Sequence, residues 1–411
     1  MRSAAPESPS EPRPDPHRRS DRRAGCGRRG RRTVTDGTVG IGTERRPGVV
    51  TRKVSGRDVD VVVIGAGQAG LSAGHHLQRA GFAPETGYVL LDGGAGPGGA
   101  WRDRWPTLRL AGVHGIHDLP GRALGEPDPG RPAAEVVAEY FGAYEREFDL
   151  PVHRPVNVTE VRDRADGRLT VRTDAGEWTA RALINATGTW RHPFWPYYPG
   201  QWSFAGRQLH TADYRGPAEF TGRRVVVVGG GTSAVQLLDE IAGVAEATRW
   251  VTRRPPVFDD AEFSEDRGRA AVARVDATVR AGRPPSSVVS ATGLVWTPQT
   301  RRMDAAGLLR RLPMFARITP EGVVWPDGSS FDADVIFWCT GFRAVLDHLA
   351  PLRLRSPGGG ILMDGTRVVT DDRVHLIGYG PSASTVGANR AGRDAVREIR
   401  RLLGGSPVTL R

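Results

Sequence analysis

The sequence predicts an α/β fold with two Rossmann-like dinucleotide-binding domains. Two glycine-rich turns begin at Gly65 and at Gly229, 164 residues apart. Each turn follows a β-branched apolar run and precedes a segment with helical periodicity, which predicts a strand, a turn and a helix. This order brings a pyrophosphate to a helix N-terminus. The 39% hydrophobic content of the 411 residues allows two cores of this kind.

The first turn favours FAD or NAD. The strand candidate before it is Val59 to Ile64, and the next strand candidate ends at Asp92. A carboxylate at that strand end accepts hydrogen bonds from ribose hydroxyls and repels a 2′-phosphate. A glycine turn in an ordinary α/β sheet is the alternative interpretation. The predicted FAD contacts here are Gly65, Gly67, Gln68, Ala69, Gly70 and Asp92.

The second turn favours NADPH. It follows the strand candidate Arg224 to Val228, and Ala234 stands where the first turn has its third glycine. The next strand candidate ends at Arg253 and Arg254, whose guanidinium groups would bind an adenosine 2′-phosphate. The alternative is a solvated basic loop. The predicted NADPH contacts are Gly229, Gly231, Thr232, Ser233, Ala234, Arg253 and Arg254.

One turn is thus paired with an acidic strand end and the other with a basic one. This difference predicts one tightly held FAD and one exchanging NADPH, an arrangement that passes hydride from nicotinamide to flavin. Two further hydrophobic segments, 182–188 and 334–341, read as strands that end in Thr-Gly. At each of them the chain is predicted to return to a cofactor. Each is equally compatible with a buried strand and a glycine turn. The predicted residues are Thr187 and Gly188 for FAD, and Thr340 and Gly341 for NADPH.

Between the two turns lies the motif Phe204-x-Gly206-x-x-x-His210-x-x-x-Tyr214. Over residues 59–403 the chain resembles the flavin-containing monooxygenase family, and this motif is similar to the one that identifies that family. The resemblance implies a glutathione-reductase-like flavoprotein architecture. It also implies that the motif lies at the linker between the FAD and NADPH domains and helps to seat the nicotinamide. We assign His210 no proton-transfer role.

The segment from Gly98 to Leu110 resembles the part of the family that runs along the isoalloxazine and the pyrophosphate. Residues 111–115 depart from the aromatic and proline residues of many relatives, so the shape of the oxygen and substrate pocket stays open. Trp101 and Trp105 are separated by one residue fewer than the matching pair of Baeyer–Villiger relatives. This difference favours heteroatom oxidation over ketone insertion. The FAD contacts that the resemblance implies are Gly99, Trp101, Arg102, Leu108, Gly378 and Tyr379.

The mechanism implied by the resemblance uses NADPH to reduce FAD, after which O2 forms a C4a-peroxyflavin that oxygenates a small soft nucleophile at nitrogen, sulfur or a similar atom. Since the flavin carries this chemistry, we assign no catalytic side chain and no metal ligand. One alternative is a flavin reductase or oxidase that inserts no oxygen. Another is a redox-sensing or transport-associated flavoprotein. Some similar bacterial flavoproteins lie beside arsenic-resistance genes, but paired cysteines for a metalloid are absent from the sequence.

Charge and segment order predict the domain limits. Residues 1–57 carry 15 Lys+Arg and 6 Asp+Glu, which leaves 42 and 40 for the rest of the chain and accounts for most of the net charge of +11. We therefore expect no nucleic-acid binding by the folded part. The tail is interpreted as a disordered extension or a start-site artefact, with DNA contact as the alternative. Residues 58–199 and 341–411 would form the FAD domain, and 200–340 the NADPH domain.

Targeting signals are not evident in the sequence. The tail arginines precede no apolar segment, and no stretch reaches the roughly 20 apolar residues of a membrane span, so we expect a cytoplasmic protein. Residues 264–280 predict a polar helix in an insertion that either covers the active site or decorates the surface. The expected partners are a small-molecule substrate and O2, and the sequence leaves the oligomeric state open.

Overall fold

The computed structural model describes residues 57–113, 116–260, 265–285 and 293–404. Apart from Arg57, the predicted tail lies outside the described residues. The described strands are β1 (Arg57–Ile64), β2 (Tyr88–Leu91), β3 (Val152–His153), β4 (Val158–Asp163), β5 (Leu169–Thr173), β6 (Gly176–Asn185), β7 (Arg207–His210), β8 (Arg224–Val228), β9 (Ala247–Val251), β10 (Phe258–Asp259), β11 (Leu294–Val295), β12 (Arg317–Ile318), β13 (Gly322–Val324), β14 (Ser330–Asp332), β15 (Val335–Trp338), β16 (Met363–Asp364), β17 (Arg367–Val368) and β18 (Asp371–Leu376). The described α-helices are α1 (Gln68–Arg79), α2 (Ala133–Glu147), α3 (Thr232–Ala242), α4 (Glu265–Arg280), α5 (Pro298–Ala305) and α6 (Thr385–Leu402).

The larger sheet has a parallel centre in the order β18-β6-β1-β2-β3. β16 and β17 extend one edge in antiparallel fashion, and β4 and β5 join through β6. In its register, Ile64 lies beside Leu91 and Asn185, and Asn185 lies beside Leu376. Four parallel strands therefore end at one edge, which is the edge where such sheets bind ligands.

The smaller parallel sheet has the order β7-β15-β8-β9. Val228 lies beside Val251 and Trp338, and Trp338 lies beside His210. The carboxyl ends of these four strands therefore also lie together. The described residues add the pair β10-β11 and the antiparallel sheet β12-β13-β14.

Apolar cores lie on both faces of the two parallel sheets. α1 and α6 pack together against one face of the larger sheet, where Leu71, Leu77 and Ile399 are buried. Against the smaller sheet, α3 buries Leu237 and Leu238. Each strand has neighbours on both faces, which is why the central strands are continuous apolar runs. The predicted α/β class is confirmed by these elements.

The strand limits support the predicted division of the chain. The larger sheet takes its strands from residues 57–185 and 363–376, and the smaller one from residues 207–338. We propose 58–199 with 341–411, and 200–340, as the two domains. α4 belongs by sequence to the second of these, but its residue Val279 is buried in the same apolar cluster as Tyr379.

Candidate active site

A cavity of about 1560 Å³ reaches the first glycine turn and the start of α3, the helix that follows the second turn. The first turn contributes most of the residues predicted for it, whereas the second contributes Thr232. The predicted residues that line this cavity are Gly65, Gly67, Gln68, Ala69, Asp92, Gly99, Trp101, Arg102, Thr187, Gly188, Gly378 and Thr232. The register of the strands explains this gathering, because the residues that follow β1, β2, β6 and β18 share one edge.

Other predicted site residues do not line the cavity. Gly70, Leu108 and Tyr379 are buried, and Leu108 and Tyr379 belong to apolar clusters. Among the predicted NADPH residues, Arg253 and Arg254 are exposed. The residues predicted for NADPH that lie away from the cavity wall are Phe204, Gly206, His210, Tyr214, Gly229, Gly231, Ser233, Ala234, Arg253, Arg254, Thr340 and Gly341.

The three glycines of the first turn differ in what surrounds them. Gly65 has φ +99°, and a Cβ there would lie 2.7 Å from the Ala186 carbonyl oxygen. A Cβ at Gly70 would lie 1.8 Å from the Gly65 carbonyl oxygen. At Gly67 the nearest atom is the Gly99 Cα at 3.8 Å, an ordinary contact distance. The fold thus requires Gly65 and Gly70, whereas Gly67 leaves open space for a ligand.

The second turn repeats this difference. Gly229 has φ +147°, and a Cβ there would lie 2.2 Å from the Cys339 carbonyl oxygen. A Cβ at Gly231 would meet no described atom within 4 Å. Ala234 is fully buried at the third position, so a methyl group fits where the first turn requires Gly70. Space left at the second glycine of each turn is what a pyrophosphate close to the backbone needs.

Both helices that follow the turns begin without a side-chain cap. The N-cap residues are Gly67 for α1 and Gly231 for α3, and neither can supply a capping oxygen. The first N–H groups of each helix are therefore available to a phosphate, which the helix dipole also favours. Since the first turn of neither helix contains an acidic residue, no carboxylate there competes with an anion.

Asp92 lies at the end of β2 beside the first turn. Its Oδ2 accepts from the Ala66 N–H at 2.7 Å, and its Oδ1 accepts from the Gly94 N–H at 2.8 Å. Arg154 donates Nε to the same Oδ1 at 3.1 Å and pairs with Glu145 through its other nitrogens. Arg154 lies 62 residues from Asp92 in the chain, so no local sequence pattern identifies it as the residue that orients this carboxylate.

Phe204, His210 and Tyr214 of the motif are buried. His210 is fully buried at the end of β7, where its Nε2 donates to the Gly341 carbonyl at 3.1 Å and its Nδ1 accepts from the Ala212 N–H at 3.2 Å. These partners fix the neutral ring, and burial lowers the pKa of His210 below its ordinary value. The histidine therefore holds the turn at Gly341, which agrees with assigning it no proton-transfer role.

Tyr214, the last residue of the motif, connects three parts of the chain. Its hydroxyl donates to Glu240 Oε2 at 2.7 Å, and Thr107 donates to the same oxygen at 2.6 Å. One helical turn earlier in α3, Gln236 donates to the Gly112 carbonyl at 3.0 Å. α3 is thus attached to the segment that follows Trp101 and Arg102. Glu240 and Gln236 were not predicted, although their spacing of four residues on an amphipathic helix places them on one face.

A second network lies behind Thr187. Its hydroxyl donates to the Val345 carbonyl at 2.7 Å and accepts from Asn185 Nδ2 at 3.0 Å. Asn185 Oδ1 in turn lies 2.7 Å from Nε2 of His348, which lines the cavity. Burial lowers the pKa of His348 to about 4, so its ring is neutral and donates to Asn185. His348 was not predicted, because nothing in its sequence neighbourhood marks it.

The predicted insertion helix covers part of the cavity. Val272, Ala273 and Asp276 of α4 contribute to the cavity wall, and Val275 and Val279 are buried on another side of the helix. The chain after α4 is held by the Gly360 N–H, which donates to the Gly282 carbonyl at 3.0 Å. Of the two sequence interpretations of this insertion, the described part agrees with covering the site.

The comparisons with known proteins agree with this geometry. A family model described as pyridine nucleotide-disulphide oxidoreductase matches residues 62–266. The structure of a flavin-containing monooxygenase from Stenotrophomonas maltophilia is 39% identical, with a TM-score of 0.72, and the alignment covers 84% of this chain and 99% of that one. An uncharacterized CzcO-like oxidoreductase of Geobacillus kaustophilus is 26% identical over 71% of this chain and 85% of its own. Indole-3-pyruvate monooxygenase YUCCA1 of Oryza sativa is 33% identical over 43% of each chain.

Two glycine turns on separate parallel sheets, with one cavity that runs from the first turn to the start of α3, are typical of a flavoprotein with two dinucleotide-binding domains. The chain belongs to the flavin-containing monooxygenase family and is a flavin-dependent oxidoreductase. Membership of this family makes a flavin its cofactor. Within the described part of the chain, no helix is long and apolar enough to cross a bilayer, and no group of three metal-binding side chains occurs.

Proposed function

We propose that this monooxygenase uses NADPH and O2 to oxygenate a small soft nucleophile, at nitrogen, sulfur or a similar atom. The observation that carries the proposal is the single cavity bounded by Gly67 and by Thr232. Because this cavity touches the start of both α1 and α3, two dinucleotides bound at those helices can extend toward each other within it. The expected cytoplasmic location rests on the sequence alone.

FAD would be held at the edge of the larger sheet. The pyrophosphate fits the open space at Gly67 and the free N–H groups of α1, and Asp92 lies where an adenosine ribose is recognised. Gly99, whose φ is +51°, packs its Cα against Gly67 and would border the same group. When bound there, the flavin supplies hydride acceptance and reaction with oxygen.

NADPH would be held at the edge of the smaller sheet. The open space at Gly231 and the start of α3 suit its pyrophosphate. Arg253 and Arg254 follow the neighbouring strand, and Arg311 holds that turn by donating Nε to Thr252 Oγ1 at 2.7 Å. A guanidinium fork at this position recognises a 2′-phosphate.

The side chains between the two turns would exclude water from the reaction. Trp101, Trp190 and Leu294 line the cavity with apolar surface, and Val272 of α4 extends that surface. A dry site favours oxygen transfer over loss of hydrogen peroxide. The protein then only has to position the reactants and shield them from water, and it needs no acid–base residue. This agrees with His210, whose neutral ring uses both nitrogens in hydrogen bonds to the backbone.

The decisive experiment follows isotopically labelled oxygen. The FAD-loaded protein is given NADPH, ¹⁸O2 and a thioether such as thioanisole, and the sulfoxide is analysed by mass spectrometry while hydrogen peroxide is measured in parallel. We expect one labelled oxygen in the product for each NADPH oxidised in coupled turnover. Hydrogen peroxide equal to the NADPH consumed, with no label in any sulfide or amine tested, would instead favour the reductase or oxidase alternative.

A further inference from the structure

Arg104 occupies an unusual environment between the two sheets. Its guanidinium carbon lies 4.2 Å from the ring centre of Trp190, 5.6 Å from that of Trp101 and 6.0 Å from that of Trp105. Arg104, Trp101 and Trp190 all line the cavity. The side chain is thus enclosed by indole rings and directed toward the space that the cofactors and the substrate share.

Among the described residues, no anion compensates this charge. Arg104 forms no ion pair with any described carboxylate, and its Nε is buried without a hydrogen-bond partner. Burial lowers the pKa of its guanidinium to about 10, which still leaves the group charged at neutral pH. Indole faces attract a cation but cannot replace a carboxylate, so the unpaired charge costs free energy in the folded protein. Such an arrangement persists where a ligand supplies the missing anion.

We propose that Arg104 binds an anionic group, a carboxylate, of the oxygenated substrate. The inference rests on the proposed function and narrows its substrate class to soft nucleophiles that carry this group. The pyrophosphate of each cofactor already has a helix N-terminus of its own, at α1 and at α3. Arg104 lies instead at a short turn after Trp101, in a setting whose flat apolar walls suit the body of an organic acid.

A phosphate of NADPH is the other source of negative charge that could reach Arg104. The two sources share the same chemistry toward a guanidinium, namely a paired oxygen acceptor. They differ in which ligand loses affinity when the guanidinium is removed. The experiment therefore measures both.

The test is calorimetric titration of the FAD-loaded protein, which needs no turnover. The probes are 4-(methylsulfanyl)benzoate, its uncharged counterpart 4-(methylsulfanyl)benzyl alcohol, and NADP⁺. The variants are Arg104→Met, whose unbranched side chain fits between the indoles, Arg104→Lys, and the control Arg109→Met at an exposed arginine of the same segment. We expect Arg104→Met to weaken carboxylate binding roughly ten-fold or more, Arg104→Lys to restore part of it, and alcohol and NADP⁺ binding to stay unchanged.

Three results would overturn the proposal. Equal affinity of the wild-type protein for the carboxylate and the alcohol would show that charge is not recognised, as would a failure of the carboxylate to bind. A loss of NADP⁺ affinity in Arg104→Met without a change for the carboxylate would assign the residue to the cofactor. Failure of the proposed function has a different signature, because carboxylate binding that depends on Arg104 can persist in a protein that inserts no labelled oxygen. A rise in thermal stability of ligand-free Arg104→Met would further support an unpaired charge kept for binding.

Discussion

A methyl group added at the second glycine of either turn tests cofactor binding separately from folding. Gly67→Ala and Gly231→Ala meet no close protein atom, so both variants should fold with nearly wild-type stability. We expect Gly67→Ala to be purified with little FAD. We expect Gly231→Ala to contain normal FAD but to have an NADPH KM raised about ten-fold or more, because each methyl group occupies the space of a phosphate. Flavin absorbance per protein and steady-state kinetics measure both effects.

Each of these variants has a matched control in the same turn. Gly70→Ala and Gly229→Ala place a Cβ 1.8 Å and 2.2 Å from backbone carbonyl oxygens, so they should fail to fold or melt at much lower temperature. If Gly67→Ala retained full FAD, the predicted pyrophosphate position at this turn would be wrong. If Gly231→Ala left NADPH KM unchanged, the second turn would not bind the nicotinamide cofactor.

We predict that the pair Arg253 and Arg254 lets the protein distinguish NADPH from NADH. Both side chains are exposed beside the second turn, where Thr252 Cγ2 would lie 3.6 Å from a Cβ at Gly230. We expect the double alanine variant to raise NADPH KM about ten-fold or more and to leave NADH KM unchanged, since only NADPH carries the 2′-phosphate. Arg249→Ala, an exposed arginine of β9, is the control. Unchanged kinetics with both cofactors would support the solvated basic loop.

Where one short segment contains all the determinants, local sequence patterns predicted residues that the structure brings to the cavity. The glycine turn and the acidic strand end were predictable from spacing, and the structure brings Gly67 and Asp92 to one cavity. Arg154, His348 and Arg104 were not predicted as site residues. Their positions depend on pairings across the fold, such as β2 with β3 or the contact of His348 with Asn185, and no local periodicity encodes such pairings.

At the scale of elements, the hydrogen bonds to Glu240 attach α3 to the segment that follows Trp101 and Arg102. Glu240→Ala would leave the buried Tyr214 hydroxyl unpaired, which costs about 1–3 kcal/mol, and would loosen α3 from Thr107. We expect lower thermal stability and slower flavin reduction by NADPH in anaerobic stopped-flow experiments, because the two cofactor sites lose their fixed separation. Glu240→Gln keeps an oxygen that both hydroxyls can reach and should restore both properties.

Wild-type reduction rates in Glu240→Ala would assign these bonds to stability alone.

The elements themselves were largely predictable, because buried parallel strands are apolar runs and their turns contain glycine. The path of α4 was not decided by its sequence. Its polar composition agrees with both covering the site and decorating the surface. The structure distinguishes the two, because Val272, Ala273 and Asp276 line the cavity.

At the scale of the molecule, the order of segments predicted the architecture. Strand-turn-helix units separated by 164 residues, with Thr-Gly strands after each, match a sheet whose chain leaves for a second sheet and then returns. The position of the sheets around one cavity was not predictable in the same way. It depends on side chains such as Trp105, Trp190 and Leu209, which come from distant segments and share one apolar cluster.

The stability of the molecule should fall on mild acidification, and His375 provides a test. This residue of β18 is 1% exposed, with Nδ1 at 3.0 Å from Thr366 Oγ1, and burial lowers its pKa to about 4. In the unfolded chain His375 binds a proton below about pH 6.5, whereas in the folded chain it does so only below about pH 4. The stability contributed by the neutral ring is therefore complete above pH 6.5 and is lost progressively as the pH falls toward 4, by about 3 kcal/mol at most. His375→Gln, measured by urea unfolding between pH 7 and pH 4.5, should show a smaller loss than the wild-type protein, whereas His192→Gln, at an exposed histidine, should retain the wild-type pH profile. Identical profiles for His375→Gln and the wild-type protein would contradict the assignment of a neutral buried His375.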